Sequence, residues 1–131
     1  MKRIIGLALV LVLLMASAAS AVEYPQLVGT WEGTTTGYNP DKGFVENTLV
    51  FEVKEQKDGA FWGVKTVKLV VTGKEMTEKF CGTVTPDGEV LATEFSDGYY
   101  RGSVTGDEMV LQYVEAGPRA KAFTHAMMRK K

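Results

Sequence analysis

Residues 27–129 are cut at short, fairly even intervals by turn sequences: Asn39-Pro40-Asp41-Lys42-Gly43, Lys57-Asp58-Gly59, Pro86-Asp87-Gly88, Ser96-Asp97-Gly98, Gly106-Asp107 and Gly117-Pro118, with Thr72-Gly73-Lys74 as a weaker break. Asp-Gly pairs supply the positive backbone φ that tight hairpins demand. Between the turns lie runs rich in Val, Thr, Phe and Tyr that alternate with period two, and helical spacing is nearly absent. The pattern predicts an all-β chain with eight strands, at about 27–37, 44–56, 60–71, 75–84, 89–95, 99–105, 108–115 and 119–129. Every connection is short, so neighbours in sequence should pair antiparallel as an up-and-down meander. Eight such strands leave two exposed edges unless the sheet closes, and closure into a barrel removes both. Neither an internal repeat nor a second domain interrupts the pattern.

Ahead of the strands, residues 1–21 read MKRIIGLALVLVLLMASAASA. Two cations, an apolar run over 4–15 and small residues ending in Ala19-Ser20-Ala21 are the signature of a secretory signal peptide, cleaved after Ala21 with Ala18 as the second site. The apolar run is shorter than the ~20 residues that span a bilayer. The expectation is an exported protein, periplasmic or extracellular, with no membrane span after cleavage and one domain over 22–131.

The leader holds two of the 15 Lys and Arg and none of the 16 Asp and Glu, so the remaining chain has 13 against 16, a formal charge of −3. That balance gives no field for nucleic acid or an anionic membrane surface. The basic end Arg129-Lys130-Lys131 has no interleaved aromatics and reads as solvated. Cys81 is the single cysteine. With no intramolecular disulfide available, the core alone must hold the domain, and Cys81 reads as a small buried hydrophobe or, more sharply, as a bridge to a second chain. A homo-oligomer is compatible with either reading.

Alternation assigns the inward faces. In the first strand Leu27, Gly29, Trp31, Gly33 and Thr35 share a face opposite Glu32, which puts the Trp31 face inside. Val45, Asn47, Leu49, Phe51 and Val53 form the second inward face; Met76, Glu78, Phe80, Gly82 and Val84 the fourth; Met109, Leu111 and Tyr113 the seventh. The third strand resists, because neither Phe61/Gly63/Lys65 nor Trp62/Val64/Thr66 stays apolar throughout, and a bulge is expected there. Of the adjacent Tyr99 and Tyr100 one must face outward, with Arg101 on the side of Tyr99. Gly29 and Gly33 flank Trp31, leaving room for the indole and letting the strand coil at the closing seam.

Gly29-Thr30-Trp31 at the start of the first strand resembles the Gly-x-Trp signature of the lipocalin and avidin group of antiparallel barrels, the calycin type. The resemblance implies an eight-stranded ligand-binding barrel plugged by the tryptophan, with a basic residue of the last strand lying across it: Arg119, Lys121 or Arg129. The length is closer to avidin-like barrels than to full lipocalins. At the biotin-recognising positions, however, this chain has Glu32, Gly33 and Gly37 where avidins carry Tyr, Asn and a nearby Ser, and Ala126 where they carry an Asp. The placed polar groups that biotin needs are missing, so biotin binding is not expected.

No chemistry-bearing motif stands out. His125 is the single histidine, and Cys and His clusters with metal-ligand spacing are missing, so neither a metal nor a cofactor is expected. A His125–carboxylate pair with Glu78 or Glu94 would be the route to a small barrel enzyme, but no Ser or Cys has a visible base beside it. The leading expectation is a non-enzymatic barrel holding a small apolar or aromatic molecule at its open end. Trp31 would form its floor, Trp62, Phe80 and Tyr113 its walls, and Asn47, Glu78 or His125 its polar anchors. The rival is a barrel with a filled interior whose outer face pairs with another protein or with itself. A cavity of a few hundred Å³ open at one end discriminates the two.

Overall fold

The computed structural model describes residues 21–131, so all of the expected signal peptide except Ala21 lies outside the described residues. Eight strands follow one another: β1 (Gly29–Asn39), β2 (Gly43–Lys57), β3 (Ala60–Lys68), β4 (Glu75–Val84), β5 (Glu89–Glu94), β6 (Tyr99–Thr105), β7 (Glu108–Glu115) and β8 (Lys121–Arg129). Each pairs antiparallel with the next, and β8 returns to pair with β1 from Trp31↔Arg129 to Tyr38↔Ala122, which closes the barrel. The all-β meander expected from the turn spacing is therefore the fold, and no helix occurs among the described residues. At Lys57-Asp58-Gly59 the positive φ is carried by Asp58 itself, at 52°.

The two ends of the barrel differ. At one, β2–β3, β4–β5 and β6–β7 are joined by tight turns, and the segment before β1 folds across the opening, with Leu27 fully buried. Gln56 fastens that segment: its side chain accepts from the Leu27 amide at 2.8 Å and donates to the Pro25 carbonyl at 2.8 Å. At the other end the longer loops 69–74 and 116–120 leave the mouth open.

Trp31 plugs the closed end. It is wholly inaccessible to solvent, its indole N–H donates to the Leu27 carbonyl at 2.9 Å, and the Arg129 guanidinium lies 4.3 Å from the ring centre. Of the three cations proposed to cross the tryptophan, Arg129 is the one that does. It also donates to the Gln26 and Val28 carbonyls and to Asp107, so one side chain ties β8 to the N-terminal segment and the β6–β7 turn. Gly33 makes room for β8 rather than for the indole, since a Cβ there would stand 1.8 Å from the Ala126 carbonyl oxygen. Close approach at the closing seam, not space for the ring, demands that glycine.

The inward faces of β1, β2, β4 and β7 follow the alternation. In β3 the inward residues are Phe61, Gly63 and Lys65, and the expected irregularity sits in its partner, where the β2–β3 register shifts between Val53 and Glu55. Tyr100 is buried and Tyr99 exposed, with Arg101 exposed on the side of Tyr99. Cys81 is a free thiol exposed on the outer face, which corrects its reading as a buried hydrophobe.

Candidate functional site

The upper half of the barrel is hollow. A cavity of about 870 Å³ opens between the long loops, walled by Thr35, Asn47, Val67, Glu78, Tyr113, Phe123 and His125 among others. Its depth follows from residue size along each strand. In β2, Asn47 lines the space while Leu49, Phe51 and Val53 beyond it fill the barrel; in β1, Thr35 lines it and Trp31 closes the far end.

Four of the seven expected site residues, Asn47, Glu78, Tyr113 and His125, line this cavity, and three do not. The expectation that Trp62 forms a wall is corrected, because its side chain lies on the outer face and its indole N–H donates to Glu55 at 3.3 Å. Phe80 is a core residue below the cavity, stacked on Phe51 with ring centres 4.7 Å apart. Trp31 is a plug at the barrel's closed end, not the floor of the cavity. Asn47 accepts the Val70 amide at 3.2 Å and so holds the β3–β4 loop at the rim. Glu78 accepts from Ser96 at 3.3 Å.

At the cavity's inner end the strands bring together a polar cluster that the sequence reading did not assemble. Lys65 of β3 and Glu94 of β5 form a buried ion pair, and the Tyr100 hydroxyl donates to the same carboxylate oxygen. The Lys65 ammonium lies 4.5 Å from the Tyr113 ring centre and 5.3 Å from that of Tyr100. Burial lowers the Lys65 pKa, against the attraction of Glu94. Burial and the Glu94 charge together push the Tyr100 hydroxyl up, so it stays protonated and donating.

His125 sits against these rings, parallel to Tyr113 within 15° at 5.8 Å between centres, and 5.6 Å from Tyr100. Burial and then the Lys65 charge push its pKa down to about 3, so the imidazole is neutral at physiological pH. Among the described residues no carboxylate hydrogen-bonds to it: of the two expected partners, Glu94 is occupied by Lys65 and Tyr100, and Glu78 accepts from Ser96. Nearer the mouth, Tyr113 donates to Glu115 at 2.8 Å, and Lys121 approaches the same carboxylate at 3.4 Å. Partial burial would raise the Glu115 pKa, but these two partners outweigh it and lower it.

The alternating faces, the closing seam and the one-ended cavity decide the architecture. It is a calycin-like barrel at the level of fold. The solved structures similar to it include two of known ligand state or source. EF1p2_mFAP2b, solved bound to DFHBI, matches with a TM-score of 0.60 at 16% identity over 79% of this chain and 94% of that one. Rv2717c from M. tuberculosis matches with a TM-score of 0.51 at 17% identity over 80% and 93%. At such identities the likeness is one of fold. No family model matches the chain, and no curated protein matches it in sequence.

Proposed function

We propose that this calycin-like barrel is an exported, non-enzymatic binding protein of the lipocalin and avidin-like type, taking a small apolar or aromatic molecule through its open end. The one-ended cavity carries the reading: about 870 Å³ lies within the ~300–1,000 Å³ of small-molecule sites. Its walls combine Val67, Phe123 and Tyr113 with a few inward polar groups, the mixture such sites use for affinity and orientation. That EF1p2_mFAP2b, a barrel of this fold, was solved bound to DFHBI supports the same use of the interior. Arg129 across Trp31 supports the lipocalin side of the resemblance. The leader supports export.

The non-enzymatic part rests on the polar groups. Among the described residues His125 has no general-acid or general-base partner, and the one cysteine faces outward away from the cavity.

A ligand that binds the folded barrel and not the unfolded chain raises the melting temperature with concentration, by about 2.7 kcal/mol of stability at a hundred times Kd. We expect such a shift in a screen of small aromatic compounds that includes DFHBI. Tyr113→Ala should weaken the best compound by at least about tenfold, since a wall ring is lost. Trp62→Ala, on the outer face, should leave its Kd unchanged. A broad screen with no shift would overturn the proposal in favour of a barrel that acts through its outer surface.

A further inference from the structure

Two side chains at the inner end of the cavity carry polar atoms with nothing to bond. Thr35 on β1 and His125 on β8 are register partners across the seam that closes the barrel, and each is 2% exposed. Thr35 Oγ1 and both nitrogens of His125 lack a hydrogen bond of good geometry, the adjacent Thr124 backbone being only the smallest influence on the imidazole, and they are the buried side-chain polar atoms so placed among the described residues. Native folds satisfy nearly all such groups, so three on adjacent residues lining one cavity require a reason.

Resting on the reading of the cavity as a ligand site, we infer that its ligand is a planar aromatic bearing an uncharged hydroxyl, which Thr35 and His125 receive at the inner end.

The neighbouring charges decide against an ionic head. Lys65 and Glu94 already neutralise each other, and Glu94 also accepts the hydrogen bond of the Tyr100 hydroxyl. A ligand anion would compete with Glu94 for Lys65, and a ligand cation with Lys65 for Glu94; either would break a buried pair. Thr35 and His125 ask for something else. A neutral imidazole offers one N–H and one acceptor nitrogen, and a threonine hydroxyl both donates and accepts. A phenolic hydroxyl matches them, accepting from one and donating to the other. An alcohol on a flexible chain would match the hydrogen bonds alone; the parallel rings of His125 and Tyr113, with Phe123 and Val67 beyond, favour a flat aromatic body.

The test compares 2-naphthol with naphthalene on the full folded barrel at neutral pH, by titration calorimetry with melting curves alongside. Wild type should bind 2-naphthol about tenfold or more tightly than naphthalene, the gain expected from two net hydrogen bonds. The double variant Thr35→Val/His125→Phe keeps shape and apolarity. It should bind both compounds with Kd values within about twofold of each other, and melt no lower than wild type because the unpartnered atoms are gone. Equal affinity for the two compounds in wild type, or a preference for 2-naphthol that survives in the double variant, would overturn the inference and leave the cavity reading standing. Binding of neither compound would overturn the inference; silence across the wider aromatic screen as well would take the cavity reading with it.

Discussion

Replacing Trp31 with alanine should lower the folding stability by about 3–5 kcal/mol, the range seen when a large buried aromatic is truncated to alanine. The indole is fully buried, and nothing nearby can collapse into its place: Gly33 on the same face is pinned by the β8 backbone, and Leu27 already closes the end of the barrel. The change also removes the donor to the Leu27 carbonyl and the face on which the Arg129 guanidinium rests. Arg129 would then hold the N-terminal segment through the Gln26 and Val28 carbonyls alone. For a domain of this size the midpoint of thermal unfolding should fall by well over ten degrees, and urea unfolding should show a lower midpoint with little change in slope. Trp31→Phe, which refills most of the volume but leaves the carbonyl unpaired, should fall between. A loss below about 1 kcal/mol for the alanine variant would mean that the plug does not organise the closed end.

What alternation told about this barrel, and what it withheld, separates along one line. Period two gives the face of each residue, and the inward assignments of Thr35, Asn47, Glu78 and Tyr113 follow from it. It does not give height along the barrel axis, which depends on strand tilt and stagger. Trp31 and Phe80 share inward faces with Thr35 and Glu78, yet lie below the cavity. Strand β3 defeated even the choice of face. Its inward row sets Phe61 and Val67 beside a glycine and a lysine, and its outward row sets a tryptophan and a valine beside a threonine, so the hydrophobic pattern favours neither face. Only the partner resolves it: Lys65 turns inward because Glu94, 29 residues later and two strands away, waits there. A carboxylate on the inward face of β5, beside Ala92 and Val90, was the one available signal that a buried cation existed elsewhere. The unpartnered atoms of Thr35 and His125 could not be read at all, since they are defined by what surrounds them.

That buried pair sets the second large effect. Lys65→Met should cost about 3–5 kcal/mol at neutral pH, because it strands the Glu94 carboxylate in a site where only the Tyr100 hydroxyl can answer its charge. Glu94→Leu should cost a similar amount, leaving the Lys65 ammonium with nothing but the faces of Tyr113 and Tyr100. The triple variant Lys65→Met/Glu94→Leu/Tyr100→Phe removes charge, countercharge and donor together, with side chains of comparable volume. Its stability should lie within about 1–2 kcal/mol of wild type or above it, as other buried ion pairs replaced by packed apolar residues do. Strong non-additivity is thus the signature to look for in chemical denaturation: two damaging single changes and a nearly silent triple. If the single changes cost under about 1 kcal/mol, water reaches the pair from the cavity and its charges are screened. If instead the triple falls as far as the sum of its parts, the cluster stabilises the barrel in its own right. A silent triple would leave function as the reason for keeping two charges at the base of a cavity, since the fold would then do as well without them.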